Sequence, residues 1–432
     1  MFVDTFNPFD NVLLSSIVAA VPIVLFLLCL TIFKMKGIYA SITTVVVTVI
    51  IAIVFFKLPV NIASGAVVEG FFQGIIPIGY IVVMAVLLYK ITNETGQFDT
   101  IQDSISSISQ DQRIQLLLIG FAFNGFLEGA AGFGVPIAIC ALLLTQLGFA
   151  PLQAAMLCLI ANASAGAFGA IGLPVTVIDT LGLHDSVTGM AVSSMSALTL
   201  VLMNMLIPFL LIWIIDGFKG IKETLPAILV VAITFTVLQA IITVFIGPEL
   251  ADIIPPLGAM MALAIFSKKF QPKHIFRINK DEEPPKISKH QPKEIIYAWS
   301  PFVILTVVVM IWSASFFKAL FVPGGALESF VFNIALPGTY SEIANKAITL
   351  PLNIIGQTGT AILIVIVITI LMSNKVHFKD GVRLFKNAFK ELWLPIITIC
   401  FILVISKLMT YAGLSNAVGE GIAKTGSIFP LL

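Results

Sequence analysis

The chain has 432 residues, of which 58% are hydrophobic and 11% are charged, and its formal net charge at pH 7 is +1. A typical soluble domain carries about 25% charged residues, so this composition excludes an ordinary soluble protein and indicates a polytopic membrane protein. The small net charge gives no support for a nucleic-acid partner.

Apolar segments recur along the whole chain, and most approach the length of about 20 residues that one membrane crossing needs. They lie near 11–33, 37–56, 71–91, 114–147, 150–174, 190–215, 226–247, 253–267, 297–318, 350–372 and 393–412. They predict an all-α polytopic membrane protein with about 10–12 transmembrane helices, including glycine-broken or re-entrant segments.

Lysine and arginine are concentrated in the loops between these segments, and the first ten residues contain neither. The basic loops are 34–36, 90–113, 219–222, 268–293 and 375–390. The positive-inside rule places such loops in the cytoplasm and therefore predicts an N-terminus outside the cell. Three apolar segments then lie between Arg113 and Lys219, and this odd number predicts that 128–147 or 150–174 is re-entrant.

The loop 268–296 is rich in charged residues and proline, with too little apolar content to pack, and it predicts a solvated cytoplasmic linker. It divides the chain into a membrane half at 1–267, the charged linker at 268–296 and a second membrane half at 297–432. Most of the basic side chains near the ends of the apolar segments are expected to reach the membrane interface, and the alternative for any one of them is contact with an anionic substrate. They are Lys90, Arg113, Lys318 and Lys407.

Two apolar segments are interrupted by glycine, proline and polar residues. The first interruption runs from Asn124 to Pro136 and contains Glu128, and the second runs from Asn162 to Pro174. Such breaks free backbone groups that lipid cannot satisfy, so both should face protein or a water-filled cavity. Paired broken segments of this kind predict the substrate site of a transporter.

Glu128 is the candidate for proton coupling, because an acid in apolar, glycine-lined surroundings favours its neutral form and can exchange a proton. The alternative is an acid beside an aqueous vestibule without a role in coupling. The predicted substrate-binding residues are Asn124, Gly129, Gly132, Gly134, Asn162, Ser164, Gly166 and Gly169. The glycines would let backbone approach a ligand, and the polar side chains would donate or accept hydrogen bonds. Helix packing and interhelical hydrogen bonding are the competing explanations.

Sequence motifs of several other protein classes are missing. The four histidines and four cysteines show neither HExxH nor CxxC spacing, so we expect no metal site. The chain also has no GxxxxGK[ST] phosphate loop and no GxSxG elbow, which argues against ATP-driven transport and against a hydrolase. We therefore expect no cofactor and no enzymatic activity.

The stretch Asn124-Gly-Phe-Leu-Glu-Gly-Ala-Ala-Gly-Phe-Gly-Val-Pro136 resembles the signature of the bacterial L-lactate permeases. Supporting stretches lie at 89–98, 111–115, 167–174, 247–250 and 356–361, so the resemblance covers essentially the whole chain. It implies a secondary carrier that imports L-lactate, and often D-lactate or glycolate, with a proton across the bacterial cytoplasmic membrane. Members of this family run on beyond the length of this chain, so the second membrane half is expected to be incomplete.

The expected partners are a small monocarboxylate, a proton and the lipid bilayer. The alternatives left open are a symporter of another small carboxylate, an anion channel and an inactive truncated carrier. Saturation with substrate and counterflow would distinguish a carrier from a channel.

Overall fold

The computed structural model describes residues 2–3, 5–132, 135–180, 187–270, 272, 274–278, 290–340, 347–373 and 375–424. Its helices are α1 (Val12–Thr31), α2 (Gly37–Ile50), α3 (Val60–Gln73), α4 (Tyr80–Glu94), α5 (Gln97–Ser106), α6 (Gln112–Gln115), α7 (Asn124–Ala130), α8 (Val135–Gln146), α9 (Pro151–Asn162), α10 (Gly169–Thr176), α11 (Gly189–Phe245), α12 (Ile254–Ser267), α13 (Pro292–Ser313), α14 (Ser315–Lys318), α15 (Thr358–Met372), α16 (Phe378–Tyr411) and α17 (Leu414–Ala423). Two short strands, β1 (Phe332–Ala335) and β2 (Thr349–Leu352), pair antiparallel. The predicted all-α architecture is confirmed.

Seven helical stretches in the described ranges are long and apolar enough to cross a membrane. They are Val12–Thr31, Gly37–Phe55, Val60–Glu94, Gly189–Phe245, Pro248–Ser267, Pro292–Ser313 and Phe378–Tyr411. Large apolar side chains on these helices remain exposed; Leu13 and Ile17 of α1, for example, are 68% and 57% exposed. Such a surface is suited to lipid, so the chain is a multi-pass membrane protein.

Helix α11 forms a hairpin rather than one rod. Its 57 residues would extend about 86 Å as a straight helix, against a hydrocarbon core of about 30 Å. The helix breaks at Gly217, where φ is 58° and ψ is −155°. Ser193 donates to the carbonyl of Thr243 at 3.1 Å, and Asn204 donates to Gln239, so the two arms run antiparallel. Two membrane segments therefore share this element.

The chain forms two compact units, each built from segments that are distant in sequence. The first unit comprises Met1–Tyr80, Leu320–Gln357 and Phe389–Leu432. Within it, α3 packs closely on α16 because glycines remove side chains from the contact. A methyl group at Gly70 would lie 2.7 Å from the backbone of Val404, and one at Gly74 would lie 2.5 Å from the Cα of Cys400.

The third apolar segment begins earlier than predicted and is interrupted. Helix α3 starts at Val60, and a π turn at Gly74–Gly79 separates it from α4. This turn contains Ile76 in an extended conformation and a cis bond to Pro77. The sequence Gly-Ile-Ile-Pro-Ile-Gly contains glycine and proline, as the two predicted breaks do, so the apolar segment predicted near 71–91 carries an interruption that was not predicted.

A buried ion pair lies in the first unit. Lys407 Nζ is 2.9 Å from Glu69 Oε1, and the two side chains are 3% and 7% exposed. Tyr411 donates its hydroxyl hydrogen to the other Glu69 oxygen, and Gln73 donates to Oε1 at 3.1 Å. The expectation that Lys407 reaches the interface was wrong, because this carboxylate neutralises it inside the protein.

The second unit comprises Ile81–Ala319 and Thr358–Ala388. Its central element runs from Gln112 to Ala130, where α6, a π turn and α7 follow one another and every side chain is buried. Aromatic side chains fix this element to its neighbours. The ring centroids of Phe126 and Phe302 are 5.0 Å apart, which joins α7 to α13.

Arg113 is buried at the start of this central element, so the expectation that it reaches the interface was also wrong. It forms ion pairs with Asp111 at 2.8 Å, Asp216 at 2.8 Å and Glu223 at 2.9 Å. The acids at 216 and 223 lie on either side of the break in α11. Arg113 thereby fastens the hairpin to the central element.

Part of the linker packs on the second unit. Arg113 donates to the carbonyl of His274 at 2.8 Å, the N–H of Phe276 donates to Asp111 at 3.0 Å, and the N–H of Ile278 donates to Gln112. Residues 274–278 are therefore held by the protein, although the sequence of the linker predicted a solvated segment.

His290 lies at the end of the linker and forms a second polar contact. Its Nε2 is 2.9 Å from Asp103, and its Nδ1 is 3.4 Å from Glu294. The hydrogen bond with Asp103 raises the pKa of His290, because the carboxylate stabilises the protonated ring.

Candidate functional site

Three interrupted segments meet inside the second unit. The chain leaves α7 through Gly132, where φ is 59°, and it enters α10 through left-handed backbone at Ala170, Ile171 and Gly172. The helical stretches Pro151–Asn162 and Gly166–Asp179 are bent by 64° relative to each other. The third interruption lies between α11 and α12 and begins at Gly247. The structure therefore confirms the predicted breaks and adds the one after α11.

Glycines allow these breaks to touch. A methyl group at Gly129 would lie 2.2 Å from the carbonyl oxygen of Asp252, and one at Gly172 would lie 2.4 Å from the carbonyl oxygen of Pro248. A methyl group at Gly132 would lie 3.0 Å from the Cβ of Ala170. Backbone packing thus accounts for Gly129 and Gly132 without a bound ligand.

Glu128 lies on α7 and is only 8% exposed. Its carboxyl group packs against the backbone of Gly169, where a methyl group would lie 2.4 Å from Oε1. The side chain of Asn162 is within hydrogen-bonding reach of the same carboxyl group. Its Oε2 is buried and has no hydrogen-bond partner in the described part of the chain. An acid at this depth with an unused oxygen is ready to accept a proton or a hydrogen-bond donor.

Asn124 lies four residues before Glu128 and therefore on the same face of the helix. Its amide nitrogen donates to the carbonyl of Cys158 at 3.1 Å, which ties α7 to α9. Its Oδ1 is buried without a partner among the described residues, and the same is true of Asn162 Oδ1. Glu128, Asn124, Asn162 and Gly169 are therefore the predicted residues that belong to one polar site.

The other predicted residues do not share this arrangement. The Ser164 hydroxyl donates to the carbonyl of Ala161 at 2.7 Å and so completes the end of α9. Gly166 is exposed, and a methyl group there would approach only Asn162, at 3.9 Å. Gly134 lies outside the described residues.

The structure adds three polar residues that the sequence interpretation missed. Asp252 is 1% exposed and accepts a hydrogen bond from Gln239 at 2.8 Å, and Gln239 in turn accepts one from Asn204. The sequence did contain a signal, because an acid stands in a short turn that begins with Gly-Pro and ends with Pro-Pro between two apolar segments.

The unpartnered atoms of this site share one chemical property. Among the described residues they are Glu128 Oε2, Asn124 Oδ1, Asn162 Oδ1, Asn204 Oδ1 and Asp252 Oδ2. Every one is an acceptor, so the site suits a proton or a hydroxyl donor and repels a bare anion while its acids are ionised. Within the described ranges, no three His, Cys, Asp or Glu side chains come together as metal ligands would.

The comparisons with known proteins agree with this architecture. The family model described as L-lactate permease matches residues 15–432. The chain is 54% identical to the L-lactate permease of Halalkalibacterium halodurans, over 100% of this chain and 81% of that protein. It is 40% identical to both the L-lactate permease and the glycolate permease GlcA of Escherichia coli K12, over 98% of this chain and 79% of each relative. No solved structure matches the chain.

These matches span nearly the whole chain and include the broken segments that form the polar site. Permeases are transport proteins, so the expectation that the chain is not an enzyme is confirmed. The chain belongs to the L-lactate permease family.

Proposed function

We propose that this chain is a secondary transporter that imports L-lactate together with a proton across the bacterial cytoplasmic membrane. Its relatives are named after L-lactate and glycolate, which are both small 2-hydroxy monocarboxylates, and this supports the substrate class. D-lactate and glycolate are the further substrates that we expect.

The observation that carries the proposal is the unpartnered, buried carboxyl oxygen of Glu128. A lactate anion would be repelled by an ionised Glu128 in a site whose other free atoms are also acceptors. Once protonated, the same carboxyl group donates a hydrogen bond to the substrate carboxylate. Binding of the anion therefore requires a proton, and the two cross together.

The stoichiometry follows from the same charge balance. One proton and one monocarboxylate carry no net charge, so import avoids the cost of moving an anion against the membrane potential. That cost is about 2.3 kcal/mol per charge per 100 mV. An anion channel would meet this cost in full, which favours the symporter.

In this proposal Glu128 carries the proton, and Asn124, Asn162 and the backbone at Gly169 contact the substrate. The asparagine oxygens would accept the hydroxyl hydrogen of a 2-hydroxy acid. Alternating access would move the broken segments, as in other carriers with discontinuous helices. An external N-terminus and a division at the linker 268–296 complete the proposed topology.

The test uses the purified chain in proteoliposomes with an alkaline interior and labelled L-lactate outside. We expect accumulation that saturates with substrate and collapses with a protonophore. Glu128→Gln should abolish accumulation, while Glu94→Gln, which alters a carboxylate that is 45% exposed, should not. Uphill uptake by Glu128→Gln equal to that of the unaltered chain would refute the assignment of the proton, and flux without saturation or counterflow would indicate a channel.

A further inference from the structure

The second buried acid of the site, Asp252, has no role in the proposal so far. It stands between the short 3₁₀ turn Pro248–Leu250 and α12, and it is 1% exposed. Its Oδ1 accepts a hydrogen bond from the Gln239 amide at 2.8 Å. Its Oδ2 has no partner in the part of the chain that the structure describes. One oxygen of this carboxyl group is therefore held by a hydrogen bond, and the other is available to a proton or a donor.

Asp252 and Glu128 belong to one site. The carbonyl oxygen of Asp252 packs on the backbone of Gly129, the residue next to Glu128, so closely that a methyl group there would lie 2.2 Å away. The same methyl group would lie 2.9 Å from the Cβ of Asp252, so the Asp252 side chain starts beside the residue that follows Glu128. Glu128 and Asp252 are thus held beside each other by a backbone contact that has no room for a side chain.

Two ionised carboxylates at this depth would repel each other in a medium of low polarity. The charged pair in the same turn, in the described part of the chain, does not balance them. Glu249, in the same turn, is already paired with Lys318 at 3.1 Å, and the lysine is 59% exposed. A proton on one carboxyl group removes the repulsion and supplies the donor that an unpartnered oxygen lacks.

We propose that Asp252 and Glu128 act as a pair that carries the coupling proton, so that Asp252 is a second residue essential for proton-driven uptake. This inference rests on the proposed function as a proton symporter. The proton adds to a carboxylate oxygen of the pair to form one O–H bond, and it leaves to water when the site opens to the cytoplasm. Coupled acids of this kind gain and lose protons in steps that belong to the pair rather than to either residue alone.

Gln239 orients Asp252 in this scheme. Its amide nitrogen donates to Asp252 and its oxygen accepts from Asn204, so the amide cannot turn over without losing both bonds. This fixes which oxygen of Asp252 stays free. Asn204 and Gln239 are therefore positioning residues, and Asp252 shares the proton with Glu128.

The test compares two transport modes of the full chain in proteoliposomes. Counterflow exchanges labelled for unlabelled L-lactate without net proton movement, whereas accumulation depends on the imposed proton gradient. Asp252→Asn should retain counterflow and lose accumulation by about tenfold or more, as expected when a charged hydrogen-bonding group is removed from a coupled site. The variant that combines Asp252→Asn with Glu128→Gln should be no worse than either single variant. Asp380→Asn is the matched control.

Several outcomes would overturn the proposal. If Asp252→Asn accumulates L-lactate normally while Glu128→Gln does not, Asp252 serves only in packing. Loss of counterflow together with accumulation would make it a binding or folding residue. Uptake driven by an inward sodium gradient at equal pH would show that the carboxyl oxygens of Asp252 and Glu128 bind sodium rather than a proton.

Two further comparisons complete the test. If Asp252→Asn does not reach the membrane, Gln239→Met decides, because it removes the donor to Asp252 and the acceptor of Asn204 but leaves the Asp252 carboxyl group in place. It should slow accumulation several-fold with counterflow retained, and unchanged accumulation would overturn the proposal. Failure of the proposed function is distinguishable, since the unaltered chain itself would then not accumulate L-lactate.

Discussion

Gly169→Ala probes how closely the Glu128 carboxyl group must be positioned. A methyl group at this position would lie 2.4 Å from Oε1 and 3.2 Å from both Cγ and Cδ of Glu128, whereas ordinary contacts begin near 3.4 Å. The carboxyl group must therefore move by about 1 Å. The backbone at Gly169 has φ −58° and ψ 160°, which alanine adopts without strain.

The expected effect is on transport rather than on folding. A misplacement of about 1 Å in a functional group costs on the order of 10²-fold in rate, which corresponds to about 2.7 kcal/mol. The group that moves is the end of a flexible side chain, so the protein should unfold at nearly the same temperature. We expect the initial rate of proton-driven L-lactate uptake to fall about a hundredfold.

The assay measures initial uptake rates in proteoliposomes beside thermal unfolding of the same protein in detergent. Gly419→Ala is the matched control, because a methyl group at Gly419 meets nothing within 4 Å. An uptake rate for Gly169→Ala that equals the control would refute the reasoning, since Glu128 would then work from a displaced position. A large fall in unfolding temperature would show that the contact is structural instead.

Three further predictions concern stability. Gly129→Ala should lower the unfolding temperature clearly where Gly419→Ala does not, because the added methyl group meets backbone and overpacking costs about 1–3 kcal/mol; equal unfolding temperatures would contradict this. Lys407→Met should cost about 3–5 kcal/mol by leaving the buried Glu69 carboxylate without its cation, and adding Glu69→Gln should recover most of that loss in thermal unfolding; a double variant as unstable as the single one would argue against the ion pair. The pKa of His290 is raised in the folded protein, so its stabilising contribution is complete below the unfolded value of about 6.5 and disappears as pH rises through the folded value. The unfolding temperature of His290→Gln should therefore be lower than that of the unaltered chain at pH 6 and equal to it at high pH. A difference in unfolding temperature that grows with pH would refute the direction of this effect.

The membrane fold was predictable because the length of each apolar segment determines whether it can cross the bilayer. Segments such as 11–33 and 37–56 contain enough apolar residues for a crossing, and lipid allows little but helix there. The breaks at 124–136 and 162–174 were equally visible, since glycine and proline interrupt a helix by local chemistry. The same signal at Gly74–Gly79 was overlooked because the segment around it was apolar enough to pass as an unbroken span.

The composition of the polar site was only partly predictable. Glu128 and its neighbours could be named because they share one stretch of sequence, but Asp252 joins them through the backbone contact at Gly129. Nothing in local sequence reports which distant turn packs against a given glycine. For the same reason Lys407 looked like an interfacial lysine, although Glu69 neutralises it from a helix more than 300 positions earlier in the chain.

The hairpin of α11 bears on how the protein enters the membrane during synthesis. Asn204 and Gln239 lie on opposite arms, and each would expose a bare amide to lipid if its arm were inserted alone. Folding back at Gly217 brings the two amides together within one continuous stretch of chain, before more distant helices are needed. The two arms can therefore enter the bilayer with part of their hydrogen bonding already satisfied. The amide nitrogen of Gln239 is then positioned to donate to Asp252 when the following turn is inserted.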